Sequence, residues 1–198
     1  MEVAWYAPFV MWDSDLPVPG HLHRMSGEEF DRMVSLGFYE GQHVELLYGL
    51  VCGMPDMSPQ EYPHRTLSMR LLTWLARRIP ERFWVAGHTT FPMANGSRPE
   101  PDVVVTPTCD RMNEAVLMVE VAETSLRTDR DIKAVLYAQH NVPTYWLIDR
   151  PHRVVYVMSK PSGGRYRVIE EVQEDGVLTC EGLPGLSVSV AELFALEE

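Results

Sequence analysis

The sequence predicts an α/β (α+β) fold, a mixed β-sheet flanked by helices and ending in an antiparallel meander. Three observations lead there. Two stretches, 63–80 and 128–140, carry apolar residues at helical spacing. Between and after them lie short runs rich in Val, Leu and Ile (DVVV, AVLMVEVAE, TYWLID) that read as buried strands. After residue 150 the pattern turns into successive short strands without helices.

The elements follow in order. Residues 1–25 are rich in Pro and aromatics (Trp5, Pro8, Trp12, Pro17, Pro19), lack a period, and read as an irregular arm. Residues 26–198 read as one domain, a size at which a single core is expected. Ser26 with Glu29 is a capping-box pattern that opens a short helix, and Gly37 ends it. HVELLYGLVCGMP reads as a hairpin turning near Tyr48–Gly49. Pro63 starts a helix with Leu67, Leu71, Leu72, Leu75 and Ile79 on its apolar side, and Pro80 stops it. Strands are expected at Phe83–Ala86, Thr89–Phe91, Val103–Thr106 and Val116–Val121. A helix is expected from Thr128 to His140, then the strand TYWLID. The meander comprises RVVYVMS, RYRVIEEV, a piece near Leu178, and LSVSV. A last short helix spans Glu192 to Leu196.

Composition narrows the function classes. No apolar run reaches the roughly 18 residues of a membrane span, and the N-terminus lacks a basic secretory start. Cys52, Cys109 and Cys180 are three, far apart and without CxxC spacing, which argues against a disulfide framework and a zinc site. A cytoplasmic protein is the expectation. The formal net charge is −11, which runs against a nucleic-acid binder, because phosphate contacts come from Lys and Arg. Two facts weaken that objection. Acids crowd towards the C-terminus (Glu170, Glu171, Glu174, Asp175, Glu197, Glu198), and a site that holds divalent cations must itself be acidic.

Three residues stand out as chemistry. Asp102 opens the VVV strand directly after Pro101, so its carboxylate emerges at the strand's end. Glu120 lies within a run of valines and leucines, where a lone charge is costly to bury. Acids on neighbouring strands can reach one Mg²⁺, which is content with one or two carboxylates and several waters. In the helix TDRDIKAVLYAQH, Lys133 falls between Leu136 and Tyr137 on the apolar arc, with Asp129 one turn earlier on the same face. Its ammonium can hold an attacking water or stabilise charge on a phosphate; it can equally be a lysine whose stem lies along the apolar surface.

The segments ELLYGLV, MSPQEYPHR, EPDVVV, LMVEVAETS and TDRDIKAVLYAQHNVPTYWLID, in this order, resemble the Uma family of putative restriction endonucleases, within the PD-(D/E)XK superfamily. The resemblance covers about residues 26–195. It implies a restriction-endonuclease-like sheet and a Mg²⁺ (or Mn²⁺) dependent endonuclease that hydrolyses DNA through a metal-activated water. It makes Asp102 and Glu120 metal ligands and Glu45, in the first hairpin, a further metal or water ligand, although an acid beside a turn can equally cap or pair within the hairpin. The superfamily's strand lysine, two residues past the second acid, is absent, since Ala122 stands there. The resemblance implies that Lys133 replaces it from the helix.

Other residues admit two readings. His64 matches a histidine frequent in that family and is otherwise a solvated helix-start residue. Arg65 and Arg70, with Arg77 and Arg78, can offer phosphates a positive face or form the wet side of an amphipathic helix. Tyr137, Tyr145 and Trp146 read as core. Glu123, on the opposite strand parity from Glu120, reads as facing away. A homodimer is expected, because cutting both strands needs two sites. Two other functions stay open: a non-catalytic binding or assembly module, and a phosphoesterase acting on RNA or a small substrate.

Overall fold

In the computed structural model the described residues are 23–53, 62–110 and 113–197. The N-terminal arm to residue 22, with Trp5, Tyr6 and Trp12, lies outside them, as do residues 54–61, which include MSPQE.

The chain begins its order with α1 (Gly27–Ser35), whose Ser26 and Glu29 form the full reciprocal capping box. Gly37 takes φ +79° beyond its end, the left-handed conformation of a helix stop. Next comes the hairpin of β1 (Val44–Leu47) and β2 (Leu50–Gly53). Both turn residues have positive φ, Tyr48 at 52° and Gly49 at 81°, as a two-residue type I′ turn requires. β1 is pinned to the body by a pair of backbone bonds between Leu46 and Arg98, 2.7 and 3.1 Å.

The body is a six-stranded sheet in the order β3-β4-β5-β6-β7-β8. Its strands are β3 (Trp84–Ala86), β4 (Val103–Thr106), β5 (Leu117–Ala122), β6 (Thr144–Asp149), β7 (Val154–Ser162) and β8 (Arg165–Val172). Only β5 and β6 pair in parallel, because the helical crossover of residues 126–139 joins them. Strand alternation sorts the core into two layers. Val103, Val105, Val119, Val121, Trp146 and Ile148 face α2 (Tyr62–Arg78) and α5 (Val190–Ala195). Val104, Met118, Ala122, Tyr145 and Leu147 face α4 (Ala134–Gln139). β9 (Val177–Thr179) and β10 (Ser187–Ser189) pair with each other in a small separate sheet.

Two expectations change. No strand forms at Thr89–Phe91. That segment runs beside 97–101 with bonds from Phe91 N to Pro99 O (2.8 Å) and from His88 N to Pro101 O (3.1 Å), but Pro92, Pro99 and Pro101 have no N–H to complete a ladder. The crossover helix starts earlier, with α3 (Leu126–Thr128), and passes through a π turn at Asp129–Lys133 before α4. There Ala134 N–H reaches back five residues to Asp129 O. Such insertions favour functional positions.

Candidate active site

Sheet parity sets the stage. Glu120 lies between Met118 and Ala122 on the face covered by α4, so its carboxylate is buried among apolar side chains. Lys133 comes down from the π turn to meet it, with Nζ 3.1 Å from Glu120 Oε1. The same ammonium stands 3.3 Å from Glu45 Oε1 and 3.5 Å from Asp129 Oδ1. The Tyr137 hydroxyl, one turn beyond Lys133, donates to Glu120 Oε1 at 2.6 Å. Four charged residues from the hairpin, β5 and the crossover thus share one interior point, and Lys133 is only 1% exposed.

Each member is held by its surroundings. Glu45 Oε2 accepts the backbone N–H of Glu100 at 3.2 Å, a contact that exists because β1 is pinned at Leu46–Arg98. Asp129 accepts the Ser125 hydroxyl at 2.5 Å, and its carbonyl accepts the Tyr145 hydroxyl at 3.3 Å. Asp102 stands directly ahead of β4. Its Oδ2 accepts Val121 N–H at 2.7 Å and His64 Nε2–H at 3.1 Å. Its Oδ1 lies 3.6 Å from His88 Nδ1.

The electrostatics split the acids into two kinds. Burial raises Glu120 well above the ordinary carboxylate range; Lys133 opposes this, while Asp129, Asp102 and Glu45 add to it. Burial likewise raises Glu45 and Asp129 against the pull of Lys133. Burial disfavours the Lys133 ammonium too, yet the carboxylates of Glu120, Asp129 and Glu45 outweigh it and hold the lysine charged. Asp102 differs. Burial is again the largest influence on it, but the hydrogen bond and charge of His64, with Val121 N–H and His88, overcome it and keep the carboxylate ionised. One lysine faces three buried acids, an excess of acid over base that protons or a cation must relieve.

That excess is the test of whether a divalent cation fits. The donors are hard carboxylate oxygens, suited to Mg²⁺ or Mn²⁺. Among the described residues no donor reaches Asp102 Oδ1 or Glu120 Oε2 within hydrogen-bond distance, although both residues are buried. Among those residues there is also no group of three or more His, Cys, Asp or Glu side chains already gathered around one point. Mg²⁺ does not require one, since it keeps most of its waters. The donor chemistry fits.

The remaining sequence candidates separate. His64 is not a solvated helix-start residue; it is half-buried against Asp102. Arg65 is exposed, whereas Arg70 donates to Leu196 O at 2.6 Å and Arg78 pairs with Glu192 at 3.6 Å, so both brace α2 against the C-terminal helix. Glu123 pairs with Arg150 at 2.7 Å, apart from the cluster. The sequence reading missed His88 and the hydroxyl of Tyr137. The spacing of Tyr137, four residues past Lys133 and one helical turn along, was a usable signal. His88 had none, since only the fold brings it to Asp102.

The family described as putative restriction endonuclease, Uma2, matches residues 28–191. The chain belongs to this family. A Uma2 assignment supports a nuclease-like function. In fold, the chain is similar to a putative nuclease of DUF820 from Anabaena variabilis, with a TM-score of 0.69 at 15% identity, covering 88% of this chain and 99% of that one. No curated protein matches the sequence. No helix among the described residues is long and apolar enough to cross a membrane.

Proposed function

We propose that this Uma2 protein is a divalent-metal-dependent endonuclease that hydrolyses DNA phosphodiester bonds, with Asp102 and Glu120 holding the ion and Glu45 beside them. The observation that carries this reading is the pairing of two buried acids, Asp102 and Glu120, each with an oxygen no described donor reaches, in a cluster short of positive charge. Mg²⁺ or Mn²⁺ bound there supplies Lewis acidity, lowering the pKa of water and neutralising charge on the phosphate.

The chain's own groups do the positioning. Lys133, committed to three carboxylates, aims Glu120 and works against the effect of burial on it. Tyr137 fixes the same oxygen from the second side. His64 and Val121 N–H anchor one oxygen of Asp102, and the other lies 3.6 Å from His88 Nδ1. The exposed Arg65, in the same helical turn as His64, offers a phosphate contact near the site. A homodimer would present two such sites to the two strands of a duplex.

Incubating supercoiled plasmid with the protein and Mg²⁺ or Mn²⁺, beside an Asp102→Ala control, tests the reading. Nicking by the parent, reduced at least about 100-fold in the variant as metal-site losses are, is the expected result. Equal inertness of both overturns it in favour of a binding or assembly module, which the net charge of −11 would suit. Cleavage of RNA but not plasmid would reassign the substrate. Sedimentation at micromolar concentration checks the dimer.

A further inference from the structure

β8 is an open edge of the six-stranded sheet. No described strand pairs with its outer side, so every second residue along it presents an N–H and a C=O that no ladder takes up. The two edges of this sheet differ. β3, at the far side, is three residues long, whereas β8 runs for eight, Arg165–Val172, without a proline. Its ladder to β7 spans the same residues with a gap only at Arg167. A long edge of this kind is a template for another strand.

The charges on that edge are sorted. Along RYRVIEEV, Arg165 and Arg167 stand at one end and Glu170 and Glu171 at the other, all four exposed. Val168 and Ile169 lie half-buried between them. The sorting extends beyond the strand. No acid occurs from Arg150 to Ile169. Lys160 of β7, between Ser159 and Pro161 in the register, stands beside the arginine end. Among the described residues neither Arg167 nor Glu170 is taken up by an ion pair.

Charges that only guard an edge need no order along it. Here the order makes the edge complementary to itself. Antiparallel pairing of β8 with β8 of a second copy, about a two-fold axis at Val168 or Ile169, brings the arginine end of each strand to the glutamate end of the other. The apolar residues then meet at the centre. An axis at Arg167 or at Glu170 sets like charges opposite each other, and so does a parallel approach. The pattern therefore selects both direction and register.

We propose that two copies of this chain associate through antiparallel β8–β8 pairing, so that their two six-stranded sheets continue as one. Backbone hydrogen bonds supply the contact, as in other strand additions, and the opposed charges steer it. Glu120 lies on β5, with β6 and β7 between it and this edge, so the pairing covers neither copy's site.

Sedimentation velocity of the full chain at micromolar concentrations tests the interface. Wild type is expected to run as a dimer. Arg165→Glu with Arg167→Glu makes the edge wholly acidic; Glu170→Arg with Glu171→Arg makes it wholly basic. Each double variant should weaken association at least about 100-fold, because like charges then face each other across the axis. Mixed in equal amounts, the two variants should recover a dimer with each other, and added salt should weaken it. All four side chains are exposed, so Tm should change little. A monomeric wild type overturns the proposal. So does a dimer that survives both reversals, or folded variants that stay apart on mixing. If a double variant fails to fold, Arg167→Glu and Glu170→Arg alone are mixed and read in the same way. The proposal does not rest on the metal site: a dimer that fails to nick DNA upholds it, whereas a monomer that nicks DNA overturns it and leaves the nuclease reading standing.

Discussion

The Lys133 ammonium meets Glu120 at 3.1 Å inside the protein, thirteen residues apart in the chain and on different elements. The pair is not a closed ion pair, because Glu45 and Asp129 crowd the same ammonium. A cluster with three acids to one base is stable only when protons or a cation relieve it.

Removing the base should be severe. Lys133→Met leaves buried carboxylates without a counter-charge, and the expected loss is about 3–5 kcal/mol in chemical denaturation. Adding Glu120→Gln to Lys133→Met should recover part of that loss. Strict additivity of the two changes would show that they do not interact.

Removing one acid should do the opposite. Glu120→Gln keeps an oxygen for the Tyr137 hydroxyl and leaves Lys133 with Glu45 and Asp129. The metal-free variant should be more stable than wild type at neutral pH, because burial raises the pKa of the carboxyl it removes in the folded state. It should also lose divalent-cation binding. Destabilisation with unchanged binding would show that Glu120 is purely structural.

Stability should depend on pH in a specific direction. Glu120 and Glu45 have native pKa values raised above the ordinary 4.5, and Asp129 above 3.8. The folded state therefore binds more protons than the unfolded state, and stability falls as pH rises from those ordinary values through the raised ones. Asp102 is shifted down from 3.8 and contributes the reverse, stability that is lost on acidification. In EDTA, Tm should decline as pH rises from the ordinary carboxylate value of 4.5 through neutrality. Saturating Mn²⁺ should flatten the decline, by binding the ionised acids. A Tm that rises across that window in EDTA would contradict the excess-charge account.

Tyr137→Phe removes one hydroxyl from Glu120 without changing the core shape. The expected cost is about 1–3 kcal/mol, because a buried carboxylate loses a donor. Thermal unfolding measures it. Plasmid nicking should fall while Mn²⁺ still binds, since the ligand atoms remain.

Much of the fold was legible locally. The Ser26–Glu29 cap, the Tyr48–Gly49 turn and the buried strand runs depend on near neighbours, and they stand where the sequence puts them. The missing strand at Thr89–Phe91 shows the limit. Local propensity favours a strand, but the prolines that block it lie partly on the opposing segment. The site divides in the same way. Lys133 on an apolar helix arc and Glu120 in a valine-rich strand are anomalies visible in one dimension, because charge in an apolar pattern must find a partner.

The sequence by itself marked Glu120 and Lys133 as charges inside apolar patterns, through the strand run and the helix period, and showed which family the chain resembles. Only the tertiary structure decided who partners them: Asp129 and Glu45 on Lys133, Tyr137 on Glu120, and His64 and His88 on opposite oxygens of Asp102. The reason is range. Burial follows from the pattern within one element, whereas a contact between residue 88 and residue 102 depends on how closely Gly87 lets two loops approach, and no period along the chain records that.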